Sequence, residues 1–518
     1  MRNVKILWTD DEIDVLKPHI LFLTEKGYEI DTCSNGTDTI DLVRNNHYDI
    51  VFLDEHMPGL SGIETLRFIR QVRPELQVVM VTKSEEEDIM EAAIGSEIAD
   101  YLIKPVKPNQ ILLCIKRLTD QKRLVTEKTT GDYRQEFSNI SSSISAARNA
   151  ADWASVFRKL IFWELELEKS ADPGMSEILA TQENEANIAF SKFISSSYLD
   201  WFNPNNEDKP LLSPSVMQKK VFPHLSKGQP VFFIVIDNLR YDQWKTIPAE
   251  INNMFRIVTE DYYYSILPTA TQYSRNALFA GLMPLTIAET MPSLWIDESE
   301  EESKNSNEEE LLSRQITRAG LKIKWTYTKV NNSADGKKLA DRTRQLLDND
   351  LNVIVFNFVD MLSHARTEIG LIRDLAADEK AYRSLVRSWF IHSPLYTLLD
   401  MLSGRNVKII FTTDHGTIRV QNPVRIVGDR NTSANLRYKM GRNLDYRADQ
   451  VFEIKNPEKA FLPKSNISSR YIFALNKDYL VYQNNFNQFA TYYRDTFQHG
   501  GISMQEIILP LVVLEPLS

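Results

Sequence analysis

Two groups of side chains in this 518-residue chain have the types and spacing of reactive sites. In the first, Asp10 and Asp11 follow the apolar run KILWT, Asp54 ends IVFLD, Thr82 ends QVVMVT, and Lys104-Pro105 follows ADYLI. Clustered carboxylates are hard oxygen ligands of the kind Mg2+ takes, with water completing its shell. An ion on Asp10, Asp11 and Asp54 offsets the charge of an incoming phosphoryl group, so that Asp54 can act as the nucleophile. Lys104 pairs with the same oxygens. The Thr82 hydroxyl can then hydrogen-bond the new phosphate, and Tyr101 can move into the space it leaves.

The second group lies in the C-terminal half. Asp237 ends VFFIVID, Asp360 and His364 form a D-x-x-x-H pair after IVFNFV, Asp414-His415-Gly416 follows VKIIFTT, and His499 sits in QHGG. On a helix, the i, i+4 spacing places Asp360 and His364 on one face. Carboxylates mixed with imidazoles bind Zn2+ or Mn2+ rather than Ca2+. Six such ligands are too many for one tetrahedral ion and suit two, which about 3.5–4 Å apart clamp the attacking and leaving oxygens of an in-line displacement. Within LPTATQYSRNALFAGLMP, Thr271 is the candidate hydroxyl nucleophile, inert at neutral pH unless a metal or base takes its proton; Thr269 competes for that role. An Asp-x-x-x-His pair alone is ordinarily an exposed helix face, and Asp-His-Gly alone an ordinary turn. Their joint placement after apolar runs is what points to metal chemistry. His224 and His392 match no such pattern.

The elements that must position these groups are legible in the apolar pattern. Over 3–120 short apolar strands alternate with helical stretches such as GTDTIDLVRNN, and each strand ends in polar residues, where open parallel α/β sheets build their sites. From 121 to 205 strand signals vanish and a helical linker bundle is expected, punctuated by Gly131 and the Asp172-Pro173-Gly174 turn. Its aromatic stripe, Trp153, Phe157, Phe162 and Trp163, reads as packed core before it reads as an interface. From 206 to 518 the α/β rhythm returns. The acidic run at 297–310 reads as a solvated loop.

Composition sets outer limits. With 43% apolar and 25% charged residues the chain is an ordinary globular mix, long enough for several domains. A net charge of −10 without a basic stripe speaks against duplex DNA as a partner. Two cysteines provide neither a disulfide framework nor a Cys-rich zinc site, and a cytoplasmic setting is expected. MRNVKILWTDDE lacks the apolar region of a signal peptide, and runs such as VFFIVI and IILPLVVL are far too short to span a bilayer, so no membrane association is expected.

Residues 1–120 resemble a receiver domain of the CheY type. The resemblance rests on the acidic pair, DEHMPGLSG, Thr82, Tyr101 and Lys104-Pro105. It implies a flavodoxin-like fold, a cis Lys104-Pro105 bond, Asp54 as the phosphorylated residue and a sensor histidine kinase as partner. Residues 206–518 resemble the alkaline phosphatase superfamily, above all its PglZ branch and phosphodiesterase relatives, which implies an α/β sandwich and two zinc ions, with manganese as the other candidate. Carried over position by position, one ion falls on Asp237, Thr271, Asp414 and His415 and the other on Asp360, His364 and His499. The segment Pro268 to Thr271 resembles the phosphodiesterase nucleophile motif, in which the second threonine attacks, and Asn276 or Arg275 is then the candidate to hold a non-bridging phosphate oxygen. The C/S-x-P-x-R nucleophile segment of sulfatases is missing around both cysteines, and a threonine nucleophile leans towards diesters over monoesters.

The whole length resembles a family of response regulators that link a sensor kinase to type IX secretion. That resemblance, and nothing in spacing or composition, implies cleavage of small or cyclic oligonucleotides and contact with an extracytoplasmic-function sigma factor. A phosphorylation-driven homodimer is the expected switch. The expectation is therefore a regulated metal-dependent phosphodiesterase. Two alternatives stay open: a metal domain serving as a scaffold for a protein partner, and an enzyme acting on a monoester metabolite.

Overall fold

The computed structural model describes residues 4–83, 98–170, 173–296, 305–368, 373, 375, 376, 378–428, 432–464, 466 and 468–517. The chain divides into two compact units, Met1–Asp132 with Lys169–Asp172, and Tyr133–Glu168 with Pro173–Ser518.

In the first unit, β1 (Lys5–Thr9), β2 (Glu29–Cys33), β3 (Ile50–Asp54), β4 (Gln77–Thr82) and β5 (Asp100–Ile103) form a parallel sheet in the order β2-β1-β3-β4-β5. That is the flavodoxin-like order. Alternation of side chains along β1, β3 and β4 feeds two cores, with Leu7, Val51, Leu53, Val78 and Met80 on one face and Ile6, Trp8, Phe52, Val79 and Val81 on the other. Burial on both faces is why these strands read as unbroken apolar runs. The helices α1 (Lys17–Glu25), α2 (Gly36–Asn45) and α3 (Gly62–Val72) cover the sheet. Asn35 caps α2 by accepting from Asp38 N, and Ser61 and Glu64 form a capping box on α3.

Helix α4 (Pro108–Ala146) runs without interruption through Gly131, which the sequence marks as a break. A helical glycine costs only about 1 kcal/mol relative to alanine, and a helix of 39 residues absorbs it. In the second unit α5 (Ala150–Lys169) and α6 (Pro173–Ser197) continue the helical region; Ala171 and Asp172 lie outside the described residues, while Pro173 opens α6. Trp153 and Phe157 are buried and Trp163 packs against the same core, but Phe162 is 54% exposed and does not join it.

The remaining chain builds a mixed six-stranded sheet from β6 (Val231–Ile236), β7 (Phe255–Tyr264), β8 (Trp325–Val330), β9 (Leu351–Phe356), β10 (Lys408–Thr412) and β11 (Ile508–Pro516). The order is β7-β11-β10-β6-β9-β8, with β10, β6, β9 and β8 parallel and β11 antiparallel to both β10 and β7. Helices that serve the site are α7 (Thr271–Ala280), α8 (Glu308–Arg318), α9 (Phe358–Glu368) and α10 (Glu379–His392). Part of the acidic run departs from the expected solvated loop. Residues 297–304 lie outside the described residues, but Glu308–Glu310 form the first turn of α8, and Glu308 is buried. Among the described residues no helix is long and apolar enough to cross a membrane.

Candidate active site and receiver cluster

In the first unit, the C-terminal ends of β1 and β3 bring Asp10, Asp11 and Asp54 together, with ligand atoms within 4.8 Å of one another. The Lys104-Pro105 bond is cis, and Lys104 Nζ stands 2.7 Å from Asp10 Oδ2 and 3.0 Å from Asp54 Oδ2. Burial pushes the Asp54 carboxyl upwards, beyond what the Lys104 ammonium restores. Burial also opposes the Lys104 charge, yet the two carboxylates hold its pKa above the ordinary value. Asp54 Oδ1 is buried without a hydrogen-bond partner among the described residues, an orphan that a cation satisfies. Thr82 is buried at the end of β4, and Tyr101 is half-exposed on β5. A Cβ at Gly62 would come 2.5 Å from the Asp54 carbonyl oxygen, so glycine lets α3 start directly beneath the phosphoacceptor candidate.

In the second unit, the parallel strands deliver the candidate ligands. Asp237 leaves the end of β6, Asp414 and His415 leave β10, and α9, which follows β9, carries Asp360 and His364. His499 comes from a loop after the short strand Phe497–Gln498. Two groups of ligand atoms result, Asp237/Asp414/His415 and Asp360/His364/His499, each within 4.8 Å. They adjoin, since the His415 ring of the first group and the His499 ring of the second stack with centroids 4.2 Å apart; within the second group His499 Nε2 lies 3.7 Å from Asp360 Oδ1. Thr271 stands in the first turn of α7, where the helix dipole favours developing negative charge, and its Oγ1 is 2.9 Å from His415 Nε2.

Backbone carbonyls fix the imidazole tautomers. His415 Nδ1 lies 3.2 Å from Gly416 O, and His499 Nδ1 lies 3.1 Å from Thr269 O. A carbonyl only accepts, so each Nδ1 carries the proton and each Nε2 presents a lone pair. Burial lowers both imidazole pKa values, that of His499 to about 3, so both are neutral at pH 7. A neutral Nε2 lone pair 3.6 Å from Asp237 Oδ1 is repulsive unless a cation lies between them. Asp237 Oδ1 and Asp414 Oδ2 are buried with no hydrogen-bond partner among the described residues. Burial pushes both carboxyls up against the pull of Arg275. Burial opposes the charge of Asp360 too, but His364 and His499 outweigh it and hold that carboxyl low. Orphaned oxygens, neutral imidazoles and a nitrogen–oxygen donor set together fit a pair of divalent ions.

The two threonines separate by surroundings. Thr269 is fully buried, its hydroxyl donating to Gly501 O and accepting from Gly500 N, both at 3.0 Å. Thr271 opens onto a cleft of about 690 Å3, shared with Gln272, Asp360, His364, Asn435 and His499. Arg275, one of the two residues expected to grip phosphate, lines the same cleft, and its guanidinium stands 2.7 Å from Asp237 Oδ2 and 2.7 Å from Glu308 Oε1. Asn276 is buried and is not among the residues lining that cleft.

Three supporting groups escape the sequence reading. Asn238 has φ 65°, a left-handed conformation that asparagine tolerates, and its Nδ2 donates to Asp360 Oδ1 at 3.1 Å and Ser363 Oγ at 3.2 Å. Its place directly after a strand-end aspartate was the available signal. Glu308 was hidden in the acidic run. Glu506 is buried against Arg437 and accepts from Gly501 N at 2.9 Å, anchoring the His499 loop, and no motif marks it. Gly416 is required by contact, because a Cβ there would meet Gln505 O at 2.0 Å.

Three family descriptions match the chain: a response regulator receiver domain over residues 6–116, a PorX response regulator linker domain over 123–202, and a BREX system PglZ alkaline phosphatase-like domain over 216–514. Among curated proteins, the transcriptional regulatory protein ResD of Bacillus subtilis is 31% identical over 158 residues, 30% of this chain and 65% of ResD. The alginate biosynthesis transcriptional regulatory protein AlgB of Pseudomonas syringae is 29% identical over 27% of this chain and 31% of its own. SrrA of Staphylococcus aureus is 26% identical over 29% of this chain and 62% of its own. The chain thus spans less than two thirds of these relatives. Among solved structures, a receiver domain from Clostridium thermocellum is 31% identical, covering 23% of this chain and 98% of its own at a TM-score of 0.22. A CheY-like receiver from Methanospirillum hungatei is 24% identical, with coverages of 24% and 98% and a TM-score of 0.23.

Proposed function

Because the chain belongs to the PglZ alkaline-phosphatase-like family and joins that domain to a response regulator receiver through a PorX-type linker, we propose that it is a regulated metal-dependent phosphodiesterase. The observation that carries this reading is Thr271 Oγ1 at a helix N-terminus, 2.9 Å from His415 Nε2 and beside two adjoining groups of candidate ligands, in the first of which Asp237 Oδ1 and Asp414 Oδ2 are buried without a hydrogen-bond partner among the described residues. Asp237, Asp414 and His415, with Thr271, would hold one ion, and Asp360, His364 and His499 the other; zinc suits the donors and manganese is the alternative. When bound, the ions supply the positive charge that makes a threonine hydroxyl acidic and offsets charge on phosphoryl oxygens.

The protein's own groups then have defined tasks. Thr271 Oγ1 attacks phosphorus, forming one P–O bond as the bond to the leaving alcohol breaks, and water afterwards cleaves the threonine ester. His415 Nε2 has one lone pair and would spend it on the ion, so the Thr271 proton passes to the solvent of the cleft, from which the leaving alcohol takes its own. Asn238 holds Asp360 in place through its amide, and Arg275 balances the charge of Asp237. The tyrosines and amides of the cleft, Tyr438, Tyr492, Asn435 and Gln272, suit a nucleotide diester better than a bare phosphate, in line with small or cyclic oligonucleotides as substrates.

In the receiver, Asp54 is the phosphoacceptor for a sensor histidine kinase, with Mg2+ on Asp10, Asp11 and Asp54, and phosphorylation drives homodimerisation. Control of type IX secretion from the cytoplasm, with a sigma factor as partner, is the setting we assign to the receiver–linker–PglZ order.

The test is metal analysis of the full chain joined to hydrolysis of bis-nitrophenyl phosphate and dinucleotides. Two divalent ions per chain, turnover by wild type, loss in Thr271→Val and retention in Thr271→Ser are expected. A folded chain with no affinity for divalent ions, or a Thr271→Val as active as wild type, defeats the reading. Intact signalling by an inactive Thr271→Val in cells transfers the output to a docked protein partner.

A further inference from the structure

The His499 loop has few means of holding itself. Before His499, Phe497–Gln498 pairs with Ile418–Arg419, and His499 Nδ1 reaches Thr269 O at 3.1 Å; after it, Gly500, at φ 121°, and Gly501 contribute no side chains, so that side of the loop is held by what grips the segment beyond. On one side Thr269 clamps Gly500 and Gly501, and Glu506 clamps Gly501 N. On the other side the grip comes from linker helix α6, more than 300 residues away in sequence. Asn187 Oδ1 accepts from Met504 N at 2.9 Å, and Asn187 Nδ2 donates to Gln505 Oε1 at 3.0 Å. Ser191 Oγ donates to Ile502 O at 3.3 Å and accepts from Asn476 N at 3.2 Å, while Asn476 Nδ2 donates to Asn184 Oδ1 at 2.9 Å.

Asn184, Asn187 and Ser191 recur at i, i+3 and i+7, a single stripe of α6. Asn187 is fully buried and Ser191 nearly so. A helix that needed only to pack would place apolar residues there, as it does at Phe190 and Ile194. Buried amides persist where their hydrogen bonds define one arrangement, and these define the backbone of 502–505.

We propose that Asn187 of the linker is a positioning residue for His499, so that the linker helix bears more strongly on the affinity of the Asp360/His364/His499 ion than on that of the Asp237/Asp414/His415 ion. The asymmetry follows from connectivity. Asp237 and Asp414 follow strands β6 and β10 of the central sheet, and His415 meets the gripped segment through its neighbour Gly416, which packs on Gln505 O, whereas His499 lies on the same loop as that segment. Groups that orient metal ligands from behind typically change affinity 10–100-fold when lost. A partner or signal that shifts α6 thereby acts chiefly on one ion of the two.

This inference rests on the proposed di-metal reading, and the experiment separates the two. Zinc binding by the full chain is followed by elemental analysis and by competition with a chromogenic chelator. Wild type, Asn187→Leu, Asn187→Asp and Phe190→Leu are compared, with melting temperature recorded for each. The expected result is one ion at wild-type affinity and one weakened about tenfold or more in Asn187→Leu. Asn187→Asp, which keeps the acceptor for Met504 N, recovers most of it. Phe190→Leu lowers the melting temperature without selective loss. Two ions at wild-type affinity in Asn187→Leu, or weakening of both ions in step with melting temperature as in Phe190→Leu, overturns the proposal. A wild-type chain that binds no zinc removes both the inference and the function it rests on.

Discussion

Arg275 and Glu308 form a buried pair, Nε to Oε1 at 2.7 Å, that turns the other edge of the guanidinium onto Asp237 at 2.7 Å. The cation is thus part of the carboxylate cluster, and the glutamate behind it is what keeps it there. Removing one partner of such a buried pair strands a charge, at a cost of about 3–5 kcal/mol. Arg275→Met is expected to lose that much stability in chemical denaturation. Arg275→Met combined with Glu308→Leu should recover a substantial part, and a double variant no better than the single one contradicts the pairing.

Thr269 and Thr271 should fail differently. Thr269→Val leaves Gly500 N and Gly501 O without their partner, a cost of about 1–3 kcal/mol for buried groups. Thr271→Val removes a hydroxyl that faces a cleft and should change stability by less than about 1 kcal/mol while ending turnover. Denaturation midpoints set beside diesterase rates for the two variants decide it.

Asp242 lies between Arg240, whose Nε and Nη2 reach it at 2.9 and 2.6 Å, and Arg383, which also pairs with Glu164 of α5 at 2.8 Å. Burial opposes the Asp242 charge, but the two guanidinium groups outweigh it and lower the carboxyl pKa. A depressed folded-state pKa contributes stability above the unfolded value of about 4 and loses it as pH falls further. Asp242→Asn should therefore be less stable than wild type at about pH 5 to 6, and the margin should shrink below about pH 4. A margin that grows on acidification reverses the sign and refutes the assignment.

Cys114 donates through Sγ to Asp100 Oδ2 at 3.1 Å, and burial pushes its thiol up to about 11. The thiolate is the reactive form, so native protein at pH 8 should leave Cys114 unmodified by iodoacetamide and react on unfolding. Peptide mapping of alkylated native protein checks this.

The sequence alone determined the architecture and the residue types gathered at the candidate site. Unbroken apolar strands closing on Asp54, Asp237 and Asp414 carry their own message, because a parallel strand buried on both faces admits polar residues only at its end. The i, i+4 spacing of Asp360 and His364 likewise needs only the knowledge that a helix follows β9. What no local pattern could convey was pairing across long separations. Glu308 looked like one more solvated acid until α8 set it against Arg275, and Gly131 looked like a break until α4 ran through it. Asn187 belongs to a linker with no chemical motif, and only the docking of α6 onto residues 502–505 gives its amide a task. Hydrophobic periodicity is written along the chain, whereas the partner of a buried polar group is chosen by the packing of distant elements, which tertiary structure alone decides.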